Sequence, residues 1–249
     1  MKNTLKGLVA TAITLSMTLA WASFSASDDA DDPAYNLGWN LTDNGGTGFG
    51  NWYEISTGGG GRFIATAPFQ VLDGSRSWGL YSGDGNYAIG RPLTTTLSAG
   101  QFTVLARHNV NNEAGFTGIT VYDGSNEVLR FGMLPSAGNE AIHYAFGSTT
   151  GTINLGTELR GSRLRYFLGW DNLGNFTLTV SRLDGTESGT ATGNWGSNVS
   201  VSAFGFNNFN TGGFQDLIFD KIEVIPEPAS LLALGAGLAG LMGLRRRKA

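Results

Sequence analysis

The sequence predicts an all-β protein, a single antiparallel β-sandwich or jelly roll, set between two targeting segments. Three observations predict it. Apolar and polar residues alternate with period 2 along most of the chain, the pattern of strands with one buried face. Asp-Gly pairs interrupt the alternation at Asp73-Gly74, Asp84-Gly85, Asp123-Gly124 and Asp184-Gly185, where a tight reversal needs positive φ. Between the two ends no stretch sustains the 3.6-residue period of a helix. The alternating runs number about 11 to 13, at spacings of roughly 8 to 15 residues, as in sandwiches and jelly rolls.

At the N-terminus, Lys2 and Lys6 precede an uncharged, largely apolar run over residues 7–20. Ala20-Trp21-Ala22 then puts small residues at the two positions a signal peptidase reads. Residues 1–22 therefore read as a secretory signal peptide cut after Ala22, with Ser27 as an alternative cut point. The competing reading is a retained anchor helix, for which the run is short against a span of about 20 residues. Residues 23–34, SFSASDDADDPA, have no apolar period and read as an acidic, solvated tether rather than a calcium site.

The domain follows over residues 35–225. Tyr35, Leu37, Trp39 and Leu41 alternate as a first strand. The clusters NGGTGFG and STGGGGRF read as loops, since glycine relieves backbone strain. GITVYDGSNEVLRF is the clearest hairpin, turning at Asp123-Gly124. Leu164, Tyr166, Leu168 and Trp170 form one later strand, and Phe176, Leu178 and Val180 the next. Near the end Ile218, Ile222 and Val224 share a face, interrupted by Asp220. A period of about 40 residues, which a propeller requires, is absent.

Charge and composition exclude several functions. Of 16 Lys and Arg, six lie in the two terminal segments, leaving 10 against 20 acidic residues in the exported part. A net charge near −10 disfavours nucleic acid and anionic lipid as partners. There is no cysteine, so thiol nucleophiles, zinc–thiolate sites and iron–sulfur clusters are excluded. No cofactor or metal site is expected.

The C-terminus is Pro226-Glu227-Pro228, an uncharged run over residues 229–244, and the cluster Arg245, Arg246, Arg247 and Lys248. As a helix the run would be about 24 Å long at ~1.5 Å per residue, a marginal span of a ~30 Å hydrocarbon core. The cations stay on the cytoplasmic side, so the domain lies outside. A core helix has no reason to end in four cations behind two prolines.

This arrangement, with the N-terminal signal peptide, resembles the PEP-CTERM sorting signal over residues 226–249. The resemblance implies export, processing near the triplet by exosortase, a membrane-embedded cysteine protease-transpeptidase, and an association with exopolysaccharide production. SWGLYSGDGNYAIGRPL and LSAGQFTVLARHN resemble strand pairs in jelly-roll sandwiches of the concanavalin/carbohydrate-binding type. DLIFDKIEVIPEP resembles the terminal strand that leads such sandwiches into a Pro-Glu-Pro signal.

No catalytic constellation is legible. His108 and His143 read as surface-facing strand residues rather than bases. A serine elbow, a metalloprotease helix and a phosphate loop are all missing from the sequence. A glycosidase needs two carboxylates, and Glu54, Glu113, Glu127, Glu140 and Glu158 are candidates, but the Glu-x-Asp-x-x-Glu motif of jelly-roll glucanases is absent. The chain is expected not to be an enzyme.

Sugar binding needs exposed aromatic faces beside amides or carboxylates. Trp52 and Tyr53, between glycine-rich loops, and Trp195 in TGNWGSN are the candidate platforms. Trp39, Trp78 and Trp170 fall in alternating strands and read as core. The Asn-rich stretch Phe206 to Asp216 reads as a loop with suitable polar groups. Matches to Asn-x-Ser/Thr at Asn40, Asn175 and Asn198 carry little weight at so short a pattern. The expected function is a noncatalytic carbohydrate-binding surface or matrix protein. A self-associating structural protein without a sugar site is the alternative, and a secreted glycosidase the third.

Overall fold

The computed structural model describes residues 25–109, 115–209 and 215–227, within which Ser25–Ile225 is one compact unit. The expected signal peptide, membrane span and basic cluster lie outside the described residues, as does Pro228.

The unit is all-β. In chain order its strands are β1 (Ala26–Asp28), β2 (Tyr53–Ala65), β3 (Ser77–Leu97), β4 (Gly100–His108), β5 (Phe116–Asp123), β6 (Asn126–Met133) and β7 (Ala141–Phe146). Then come β8 (Thr149–Asn154), β9 (Arg163–Trp170), β10 (Asn175–Arg182), β11 (Ser188–Asn194), β12 (Val201–Phe209) and β13 (Asp216–Pro226). All register-defined pairs among them are antiparallel, in the order β11-β10-β9-β4-β13-β3-β12-β5-β6-β7-β8, with β1 on β13 and β2 on β3.

This long sheet folds over on itself. β4 and β12 are three places apart, about 14 Å in a flat sheet at ~4.8 Å per strand. Yet Phe102 on β4 stacks on Phe204 of β12 with ring centroids 3.9 Å apart. Phe131 on β6 likewise meets Tyr166 on β9, and Phe146 on β7 meets Phe176 on β10. Two layers therefore enclose the core, as in a sandwich. Strand β3 joins them: residues 78–81 pair with β13, and residues 86–97 pair with β12.

Local chemistry explains the β5–β6 hairpin as expected. Asp123 pairs with Asn126, and Gly124 supplies the positive φ of 59°. The reversal expected at Asp84-Gly85 does not occur, because β3 runs straight through it. Its partner explains why: β2 bulges between Gly58 and Gly60, and the Gly58 carbonyl fills the space a side chain on Gly85 would need. A methyl there would sit 1.3 Å from that oxygen. The glycines of STGGGGRF are thus strand and bulge rather than loop.

Three other expectations need correction. Tyr35, Leu37, Trp39 and Leu41 are not a strand. Pro33–Tyr35 is a 3-10 turn capped by Asp32, and Leu37 is 99% exposed. Phe206–Phe209 belongs to β12 rather than to a loop. Ile218 lies in a second cluster with Ala65, Leu72 and Leu105, while Phe219 stacks on Phe206 at 4.0 Å in the main core. Both faces of β13 are therefore covered.

The acidic lead-in is not a solvated tether. Asp28 and Arg91 form an ion pair with both side chains fully buried, and the Tyr35 hydroxyl donates to Asp28 at 2.6 Å. Asp31 accepts from Ser75 N and Oγ at 2.9 and 2.5 Å. Asp29 meets Lys221 at 3.2 Å, across 192 residues of sequence. Buried Asp220 accepts from Ala30 N and Ser77 Oγ, both at 3.1 Å, and from Lys221 N at 2.9 Å. Next to it Lys221 takes a positive φ of 52°. Partners this remote leave no trace in local composition.

Candidate binding cleft

The three expected platforms separate. Trp52 is 2% exposed and belongs to the core. Its Nε1 donates to Tyr35 Oη at 3.1 Å, its ring lies 5.4 Å from Trp78, and the Arg91 guanidinium covers it at 4.7 Å. That burial closes both ring faces to a ligand. Tyr53 is 38% exposed, and its ring lies over Gly90. Trp195 is half-buried, stacked on Phe176 at 5.1 Å and tilted toward Trp170 at 6.4 Å. Among the described residues none of its ring contacts reaches Tyr53.

His108 is a correction too. Far from facing solvent, it is fully buried between Thr117 Oγ1 and Tyr166 Oη, each 2.7 Å from a ring nitrogen. Burial pushes its pKa down to about 3, against a smaller opposing bond from Thr117. It stays neutral and cross-links β4, β5 and β9. His143 is half-buried, and burial lowers its pKa also.

The candidate carboxylates scatter. Glu54 pairs with Arg62 at 2.9 Å, Glu127 with Arg130 at 2.5 Å, and Glu158 with Arg160 at 2.8 Å. Glu113 lies outside the described residues. Among those residues no group of His, Cys, Asp or Glu is arranged to hold a metal.

A cleft of about 610 Å³ opens elsewhere, between the β2–β3 pair and the loop that follows β2. Gly59 on β2 and Tyr81, Ser82 and Gly83 on β3 form one side. Phe69 and Gln70 form the other, with Asn109 and Asp216 between them. Its size falls in the usual range for small-ligand sites, roughly 300–1,000 Å³.

Two rings stand out of the surface here. Phe69 is 67% exposed and Tyr81 46%. Trp78 and Leu80 point into the core, so Tyr81 falls on the outer face by alternation. Its ring lies over Gly61, where a methyl would meet the hydroxyl at 2.5 Å, and beside Phe63 at 6.3 Å.

Phe69 is held despite its exposure. The loop turns at Ala67, whose carbonyl accepts from Gln70 N at 2.8 Å and Val71 N at 3.1 Å. Arg107 donates to the Phe69 carbonyl and to Gly161 O, with its guanidinium 5.9 Å from the Phe69 ring. Arg163 donates to Pro68 O at 3.4 Å. The two arginines sit directly opposite each other on β4 and β9, where like charges repel. Burial, then Arg163, lowers the Arg107 pKa, while Asp216 opposes both. The bonds to the loop carbonyls offset that repulsion and anchor the backbone of the loop that carries the ring.

The polar groups are also anchored. Asn109 N donates to Asp216 O at 2.9 Å, tying the end of β4 to the start of β13. Ser82 Oγ meets Asn208 at 3.2 Å, and Asn208 reaches the Leu80 and Gln215 carbonyls. Burial pushes the Asp216 carboxyl up, with Arg107 pulling it down. Two exposed aromatic faces beside the amides of Gln70 and Asn109 and the carboxyl of Asp216 suit a hydroxyl-rich ligand with an apolar face, while the Ser82 hydroxyl is buried and spent on Asn208. Neither Phe69 nor Tyr81 stood out in the sequence. The available signal was parity, since Tyr81 is an aromatic out of phase with its own strand.

Residues 224–248 match the PEP-CTERM protein-sorting motif. The motif implies an exported, membrane-anchored precursor that exosortase processes and that is sorted to the cell surface. No curated protein matches the chain. Among solved structures, apo Crh5 transglycosylase matches with TM-score 0.53 at 11% identity, over 83% of this chain and 86% of that one. A cellulose-induced protein, Cip1, matches with TM-score 0.50 at 18% identity, over 80% of this chain and 95% of that one. Identities this low establish likeness of fold alone. Among the described residues no helix is long and apolar enough to cross a membrane.

Proposed function

We propose that the exported domain is a noncatalytic carbohydrate-binding module that associates with exopolysaccharide through the cleft between Phe69 and Tyr81. Its precursor is cut after Ala22, held by a helix over residues 229–244 in the inner membrane, and passed to the cell surface or medium. The single observation that supports the cleft is the pair of exposed rings on its two sides, Tyr81 on strand β3 and Phe69 on a loop whose backbone Arg107 and Arg163 anchor. A platform ordered before binding loses less entropy when a sugar stacks on it. The likeness in fold to Crh5 transglycosylase and Cip1 is compatible with this reading and adds no residue to it.

The test is retention of residues 25–227 on the host's own extracellular polysaccharide. Saturable retention is expected, and Phe69→Ala or Tyr81→Ala each weakens it about tenfold or more, as for central aromatic contacts. Unchanged retention in both variants removes the cleft from consideration. Tyr53→Ala and Trp195→Ala test the remaining expected platforms in the same assay.

A second reading, a self-associating matrix protein, draws support from the long strand β2. Among the described residues its one paired neighbour is β3, and Tyr53 and Ile55 on it are 38% and 39% exposed. An unpaired edge of this kind is a template for a second chain.

A further inference from the structure

The exported part holds 10 Lys and Arg against 20 acidic residues. Seven of those ten cations stand in ion pairs with carboxylates. Among the described residues the other three, Arg107, Arg163 and Arg165, are in none, and they lie together. Arg107 and Arg163 are directly opposite on β4 and β9. Arg165 follows two places along β9 on the same outward face, since Leu164 and Tyr166 are buried. Arg163 and Arg165 are exposed. Asp216 partly offsets Arg107, while neighbouring Arg160 and Arg182 are spent on Glu158 and Glu187 at 2.8 and 2.7 Å. Like charges this close repel, a standing cost that a bound anion removes.

The patch continues the cleft. Across the neighbouring strands β3, β13, β4 and β9, Tyr81 lies opposite Asp216, and Arg107 opposite Arg163. Three strand spacings separate β3 from β9, roughly 14 Å at ~4.8 Å each. The Phe69 loop stands over that line, its carbonyls held by Arg107 and Arg163 and its ring 5.9 Å from the Arg107 guanidinium. A polymer laid over Tyr81 and Phe69 therefore reaches the arginines. Arg163 gives one bond to the loop, and Arg165 gives none among the described residues. Their remaining donors suit a carboxylate, which a guanidinium takes through two parallel bonds. We infer that the ligand of the cleft is an acidic polysaccharide, which stacks on Tyr81 and Phe69 and sets a sugar carboxylate against Arg163 and Arg165. The inference rests on the reading of the cleft as a polysaccharide site. A net charge near −10 repels a polyanion at a distance, but salt screens it over roughly 8–10 Å, and within that range the three arginines decide the sign. Nucleic acid and anionic lipid present charge over a wider area than three arginines on an acidic domain can meet.

The measurement is retention on the host's own extracellular polysaccharide, native and after its carboxyl groups are reduced to alcohols. It uses the protein that the host releases from the full-length chain, shown by intact mass to lack residues 245–248, so that their cations do not contribute. Reduction is expected to weaken retention about tenfold. Arg165→Gln is expected to weaken binding to the native polymer about three- to fivefold, as for an exposed ion pair, and to leave binding to the reduced polymer unchanged. Arg165→Lys, which keeps the charge, recovers part of that loss. Equal retention on the two polymers, or an Arg165→Gln protein that binds the native one like wild type, overturns the inference. The cleft reading survives that result where Phe69→Ala still weakens retention on both. No retention on the native polymer, or retention indifferent to both Phe69→Ala and Tyr81→Ala, overturns the reading beneath it. Binding to phosphatidylglycerol vesicles that Arg165→Gln weakens to the same degree overturns the assignment to a glycan.

Discussion

At the residue scale, buried charge and its partners set how this domain responds to acid. His108 has no solvent to hold a proton, and its pKa falls from 6.5 to about 3. Between those values the unfolded chain binds a proton at this site that the folded chain does not. Its contribution to stability is therefore complete above pH 6.5 and is lost as pH falls toward 3. Asp28 and Asp220 act in the opposite sense. Burial raises each from 3.8 to about 6, so their contribution is complete below 3.8 and is lost as pH rises through 6. The wild-type profile is a difference of these terms. Denaturant unfolding of wild type and His108→Gln separates them. The stability gap between the two is expected to widen from pH 3 to 6.5 and stay level above. A gap independent of pH would mean that His108 protonates in the folded state.

At the scale of elements, glycine decides where strands can touch. The β2 bulge brings the Gly58 carbonyl onto Gly85, and a methyl there has no room. Gly85→Ala is expected to cost about 1–3 kcal/mol, as for other overpacked sites. The melting temperature then falls by about 2–4 °C per kcal/mol for a domain of this size. Gly83→Ala is the control, since a methyl there meets its nearest atom, Gly59 O, at 3.5 Å. Equal melting temperatures for the two variants would refute the role given to the bulge. The same strands explain how the cleft forms. β3 contributes Tyr81 and Ser82, β4 and β9 contribute the arginines that hold the Phe69 loop, and β13 contributes Asp216.

At the scale of the whole molecule, a domain with net charge near −10 repels its own copies, whereas an open β2 edge invites them. The two forces give opposite salt dependence. If the edge associates, sedimentation at rising concentration is expected to show assembly that strengthens with salt, as repulsion is screened over roughly 8–10 Å. A strictly monomeric domain at high concentration and high salt would dispose of the self-associating reading.

What the sequence determined by itself is what depends on neighbouring residues. Period-2 alternation specified an all-β chain because side-chain direction in a strand follows from position alone. The Asp123-Gly124 turn was legible because positive φ is a local demand, met by glycine. The terminal motif was legible because an enzyme reads it as linear sequence. The tertiary structure decided what depends on partners remote in the chain. Local composition makes residues 23–34 a solvated tether, yet Asp28, Asp31 and Asp29 find Arg91, Ser75 and Lys221 far along the chain. Trp52 sat among glycines and looked exposed, but the fold closed Arg91 and Trp78 over it. Phe69 and Tyr81 became a candidate site only when β2, β3, β4, β9 and β13 met. Burial and pairing are properties of the assembled sheet, and no window along the chain contains them.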